Sequence, residues 1–255
     1  MIRLAIIWLL LALPALAQTD TEQIVAGLSR NRVSITANFD GSEILIYGAV
    51  KRESPAPAGP RLEVIITVEG PALPQIVRRK DRRFGIWINA AQVTINRAPS
   101  FYAVTSTGPL DRILSNTEDL RHKITIPRAI RAVGISAEAE GAPQFVEALL
   151  RIRANEGQYI KAEGAVILTD DTLFRADVAL PANLTEGDYR VRIFLTRGGV
   201  VVDALEHRIG VQKEGLERFF ANLAHDQPLV YGLLSLVLAV AAGWGASAGF
   251  RLIRL

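Results

Sequence analysis

Between Gln18 and about Pro127, apolar and polar residues alternate with a period of two, the spacing of strands that bury one face. Val33-Ser34-Ile35-Thr36-Ala37-Asn38-Phe39 alternates, Asp40-Gly41 supplies a hairpin turn, and Glu43 to Val50 is the return run. A proline-dense loop, Ser54 to Pro60, excludes helix and central strand. Arg61 to Glu69 reads as a strand with Leu62, Val64, Ile66 and Val68 on one face, broken at Gly70-Pro71. Shorter strands are expected at Gln75–Arg79, Phe84–Asn89 and Phe101–Thr105, then a helix over Leu110 to Leu120 opened by Gly108-Pro109.

From Arg128 to Gln212 the period changes once. Phe145, Ala148, Leu149 and Ile152 recur at helical spacing within Ala142–Ala154. Strands follow at Gln158–Leu168, Leu173–Leu180, Asp188–Thr196 and Val200–Val211, the last two joined at Arg197-Gly198-Gly199. Tyr189 follows a turn closed by Gly187 and starts an alternating strand, the setting of a tyrosine corner or of an ordinary hairpin with a half-buried tyrosine. The expected fold class is mainly β: two immunoglobulin-like β-sandwich units in series, residues 18–127 and 128–212, with the 142–154 helix inserted in the second.

The two ends do not alternate. Residues 1–17 carry one cation, Arg3, an apolar run and Ala15-Leu16-Ala17, which reads as a secretory signal peptide. Leu229 to Phe250 are 22 residues without a charge, enough for a helix to cross a bilayer. Arg251 and Arg254 in the tail 251–255 put that end in the cytoplasm. The segment 213–228 spaces Leu216, Phe219, Phe220 and Leu223 as an amphipathic juxtamembrane helix, lying among headgroups or docked on the body.

Charge and composition change the picture in two places. The formal charge is +3, but Arg3, Arg251 and Arg254 belong to the ends; residues 18–228 hold 26 Lys and Arg against 26 Asp and Glu, so no basic footprint for nucleic acid exists. Cysteine is absent, which removes disulfides, a lipoprotein anchor, thiol catalysis and cluster ligation.

Candidate chemistry is sparse. His122, His207 and His225 have no metal-ligand spacing, and no cofactor is expected. Asp170-Asp171 falls at a turn between strands. Gly245-Ala246-Ser247-Ala248-Gly249 matches the pattern of a nucleophile elbow but lies inside the apolar segment, where Gly245 and Gly249 form instead a small-residue step for helix packing, or simply face lipid. Arg78, Arg79, Lys80, Arg82 and Arg83 surround Asp81, with Phe84-Gly85-Ile86-Trp87 just after. They read either as a solvated hairpin tip or as a patch for an anion or acidic partner.

Gly85-Ile86-Trp87-Ile88-Asn89, Phe101-Tyr102-Ala103-Val104-Thr105-Ser106, Leu173-Phe174-Arg175-Ala176, Leu180-Pro181-Ala182-Asn183 and the region of Trp244 resemble the alphaproteobacterial putative transmembrane protein family over nearly the whole chain. That resemblance implies a Gram-negative inner-membrane location and a membrane protein partner, a sulfite-exporter-type permease; the anchor could also self-associate. It carries over no catalytic residue. The expectation is therefore a non-catalytic accessory protein, single-pass, with its body in the periplasm; the alternative is an anion sensor working through residues 78–83.

Overall fold

In a computed structural model the described residues are 22–36, 39–53, 55–57, 59–130, 142–213 and 223–253. The signal segment 1–17, Leu216, Phe219, Phe220 and Arg254 lie outside them.

The alternating stretches do become strands: β1 (Gln23–Leu28), β2 (Arg32–Ile35), β3 (Ser42–Lys51), β4 (Leu62–Glu69), β5 (Ala72–Arg83), β6 (Ile86–Pro99), β7 (Tyr102–Ser106), β8 (Tyr159–Glu163), β9 (Ile167–Thr169), β10 (Leu173–Leu180), β11 (Gly187–Arg197) and β12 (Val200–Lys213). The helices are α1 (Leu110–Ile113), α2 (Asn116–His122), α3 (Ile126–Ala129), α4 (Ala142–Asn155) and α5 (Pro228–Ile253).

One sheet has the order β1-β3-β10-β9 and a second β2-β12-β11-β4-β7-β8; β5 and β6 form a separate hairpin. Ile44, Ile46, Phe174, Ala176 and Val178 of the first sheet meet Leu62, Val64, Ile66, Val68, Val191 and Ile193 of the second in one core. The other face of the six-stranded sheet supplies Ile65, Tyr102, Val104 and Phe194 to a second core, closed by Leu110, Ile113, Phe145 and Leu149 of the helices and Val77, Val93 and Ile95 of the hairpin. At its centre the six-stranded sheet is thus covered on both faces, which is why β4 is buried almost throughout rather than at alternate positions.

The expectation of two sandwiches in series is corrected by the pairing. β3 pairs β10 with Ile46 opposite Ala176, and β4 pairs β11 with Ile66 opposite Ile193, so strands from before and after residue 127 share each sheet. Alternation fixes which face of a strand is buried, but a strand edge accepts any partner that continues that face. The Asp40-Gly41 hairpin is corrected for the same reason. β2 pairs β12 in parallel and β3 enters the other sheet, so Gly41, at φ 122°, turns the chain between sheets rather than within one.

Smaller differences have local causes. The helix expected over 110–120 is two helices, α1 ending at Ile113 before an extended Leu114 and α2 starting anew after its cap Ser115, whose hydroxyl accepts from the Glu118 amide at 3.4 Å. The single strand expected over 158–168 is β8 and β9 in different sheets, with Gly164 at φ 77° between them. On α4, Phe145 and Leu149 are buried, whereas Ile152 stays exposed. Tyr189 is buried, and its hydroxyl donates to the Thr185 carbonyl at 2.9 Å, the bond of a tyrosine corner.

Candidate functional site

The outer face of β11 alternates with its core face: Val191 and Ile193 point into the shared core, so Arg190 and Arg192 point the other way. There Arg190 lies opposite Glu69 at the end of β4, and Glu69 lies opposite Tyr102 on β7. Glu69 is buried and bridges two cations, Arg190 at 2.5 Å and Arg97 of β6 at 3.6 Å. Arg190 also reaches Glu206 at 4.0 Å. Burial works against the Arg190 charge, but the hydrogen bond and charge of Glu69 outweigh it and raise its pKa.

Arg192 fixes the helices to this face. Its guanidinium donates to the His122 carbonyl at 2.6 Å, the Lys123 carbonyl at 3.1 Å and the Tyr102 hydroxyl at 3.2 Å, closing the C-terminal end of α2. The same group lies 5.2 Å from the ring centre of Phe194. The Tyr102 hydroxyl donates to the Ile124 carbonyl at 2.7 Å, and burial pushes its pKa up to about 12. Asp119 knots the next turn, accepting from the Ile124 amide at 3.1 Å, the Thr125 amide at 2.8 Å and the Thr125 hydroxyl at 2.7 Å. Lys123, at φ 53° in the left-handed region, is held between these anchors.

What results is a cleft of about 660 Å³, lined by Arg97, Arg121, Lys123, Arg128, Arg190 and Arg192, with Glu69 as its single carboxylate. Leu120, Pro127, Ala129 and Ile130 add apolar surface. Arg121 is paired with Glu118 at 2.8 Å and Arg128 approaches Asp119 at 3.9 Å, while Lys123 has no ion pair among the described residues. The Arg192 Nε is buried without a hydrogen-bond partner among the described residues. Six cations facing one carboxylate, itself held by two of them, form a field and donor set for an anion; guanidinium forks suit carboxylate, phosphate and other oxyanions.

The residues singled out from sequence lie elsewhere. Arg78, Arg79, Lys80, Arg82 and Arg83 are all exposed on β5. Arg78, Arg79 and Lys80 border a second cleft of about 440 Å³ against Gln144, Glu147 and Arg151 of α4. Arg82 and Arg83 sit at the hairpin tip opposite Trp87 and Ile86. Gly245 and Gly249 fall within α5, which continues through the Gly-x-Ser-x-Gly stretch as helix, so no strand-to-helix elbow exists there. Pro228–Ser247 of α5 is long and apolar enough to cross a membrane and buries none of that surface in the body. His122 meets Glu118 at 3.3 Å, and no group of metal-binding side chains occurs among the described residues.

Sequence reasoning missed the cationic cleft. Its one local signal was Arg190-Val191-Arg192, two arginines on one face of a strand whose other face is core.

Residues 23–252 match the family described as "Putative transmembrane protein (Alph_Pro_TM)". The chain belongs to that family. No curated protein matches it. Among solved structures, the sporulation control protein Spo0M from Bacillus subtilis aligns at 10% identity over 81% of this chain and 55% of that one, with a TM-score of 0.27. The chain spans about half of that protein's length, and so slight a likeness transfers neither fold nor activity.

Proposed function

We propose that this is a membrane-anchored, non-catalytic binding protein whose cleft between β11 and α2–α3 takes an anionic ligand. The observation that carries the proposal is the lining itself, six cations around about 660 Å³ with one carboxylate already held by Arg97 and Arg190. That volume suits a small organic anion or an acidic side-chain pair. Glu69 is committed to its arginines and offers no free base, which favours binding over catalysis. The anion-sensing alternative read from the sequence is thereby moved from residues 78–83 to this cleft.

The rest of the proposal rests on the ends of the chain and on the family resemblance. Residues 1–17 export the chain, the body lies in the periplasm, and α5 spans the inner membrane with Arg251 on the cytoplasmic side. The small residues around Gly245 and Gly249 pack against another membrane helix, either a second copy or a permease of the sulfite-exporter type. The Tyr189 corner supports relating the sandwich to immunoglobulin-like folds.

The test is a titration of the detergent-solubilised full chain with citrate and with inorganic phosphate at low salt. Lys123→Ser with Arg128→Ser is expected to weaken binding by about tenfold or more, the loss of one to two charge-assisted contacts. Arg82→Ser with Arg83→Ser should leave it unchanged. Binding by neither anion, or loss confined to the hairpin variant, overturns the proposal.

A further inference from the structure

The β5–β6 hairpin carries a feature that neither the cleft nor the core uses. Its tip exposes Phe84 at 105%, Ile86 at 64% and Trp87 at 68% of their surface, with nothing among the described residues covering them. Phe84 is also held at φ 50°, a costly conformation for a bulky side chain, with Gly85 at φ 85° completing the two-residue turn. A folding argument alone would place Asn-Gly there. Directly across the strands, Arg82 faces Trp87, Arg83 faces Ile86 and Lys80 faces Asn89. Asp81 is the only anion of the group and is engaged by the Arg82 amide at 2.8 Å and by Arg83 at 3.7 Å. The tip is therefore apolar and aromatic at its end and cationic on its flanks.

Its position in the fold adds a second observation. β5 leaves the body through Gly70-Pro71, and Pro71 abuts Gly187, where an added Cβ would come within 2.9 Å of the proline ring. Gly187 lies opposite Val211, two residues before β12 ends at Lys213 and the chain runs on toward α5. The root of the hairpin and the exit to the membrane helix thus share one end of the six-stranded sheet. The fourteen residues between Lys213 and Pro228 span at most about 50 Å when extended, and the twelve residues of β5 span about 40 Å. The bilayer holding α5 is consequently tethered within a distance comparable to the length of the hairpin, so contact is an intramolecular event.

We infer that the hairpin tip is a second membrane contact: Phe84, Ile86 and Trp87 seat in the headgroup region of the bilayer that holds α5, while Arg78, Arg79, Lys80, Arg82 and Arg83 bind anionic lipid headgroups. Aromatic side chains favour the membrane–water boundary, and flanking Lys and Arg are drawn to anionic lipid. An acidic protein surface would account for the cations; a fully exposed Phe beside a Trp at a strained turn fits the lipid boundary better. With both α5 and the hairpin engaged, the body is fixed in orientation over the membrane instead of swinging on its linker.

The test uses the full chain with Trp8→Phe and Trp244→Phe, which leaves Trp87 as the sole tryptophan of the three. It is reconstituted in nanodiscs of phosphatidylcholine alone, or of phosphatidylcholine mixed with phosphatidylglycerol, with and without brominated acyl chains. Trp87 emission is expected to shift to the blue and to be quenched by bromine at least about twofold more in the anionic discs, falling again at high salt. Arg78, Arg79, Arg82 and Arg83 to Ser should remove that difference, and Phe84→Ser with Ile86→Ser should weaken quenching without altering the circular dichroism of the body. Water-like, unquenched Trp87 in the anionic discs overturns the inference, as does quenching equal in the two lipid mixtures.

Discussion

Glu22, just before β1, shows how single side chains hold this chain without disulfides. Its carboxylate is 3% exposed and lies between Arg52 at 2.7 Å and Arg197 at 2.8 Å, joining the start of β1 to the ends of β3 and β11. Burial pulls its pKa up, but the hydrogen bonds and charges of Arg197 and Arg52 outweigh that and hold it below the ordinary carboxylate range. The lowered folded-state pKa means that the stabilisation is present above the unfolded value of about 4.3 and is lost as pH falls through the folded value. Glu22→Gln should cost about 3 kcal/mol, because it leaves two partly buried guanidinium groups without their anion. Urea unfolding of the solubilised chain at neutral and acid pH checks both points, with the variant losing less stability on acidification than the parent. What the sequence disclosed at this scale was local. Tyr189 was readable because a turn, a glycine and an alternating strand stand in a fixed order. Glu22 was not, because Arg197 lies 175 residues away and nothing near Glu22 announces it.

Among the elements, the strands from β3 to β12 were legible where one face is core, since alternation is a property of the strand itself. Their partners were not, because hydrogen-bonding edges carry no label in the side chains. β5 and β6 were read too short because only Val77, Val93, Ile95 and Ala98 enter a core; the outer half of the hairpin is held by its own ladder and shows no buried face. α5 was the most legible element, since 22 uncharged residues need no partner to be recognised. Its small-residue half can be tested cleanly, as a Cβ added at Gly245 meets nothing within 4 Å. Gly245→Ile with Gly249→Ile should leave insertion intact and abolish association in an in-membrane crosslinking assay. Undiminished crosslinking would make α5 a plain tether.

For the molecule as a whole, the interleaving of the two halves decides what can exist alone. β10 pairs on one edge with β3 and β11 on one edge with β4, both strands of the first half, so a fragment of residues 128–213 lacks neighbours that complete its two sheets. It is expected to show no cooperative unfolding transition, whereas mixing it with residues 18–127 should restore one; a fragment that folds alone would contradict the pairing. The cleft shares this origin. Arg97 comes from the hairpin, Arg121 and Lys123 from α2 and its cap, Arg128 from α3, and Arg190 and Arg192 from β11, so it was invisible until the sheet brought them together. The proposed anion site in this cleft is put to the sharpest test by arginine protection. The full chain is treated with phenylglyoxal with and without citrate, and modified arginines are mapped by mass spectrometry. Citrate is expected to shield Arg97, Arg121 and Arg128 several-fold and to leave Arg82 and Arg83 reactive; shielding of the hairpin arginines alone, or of none, would mean that the cleft holds no anion.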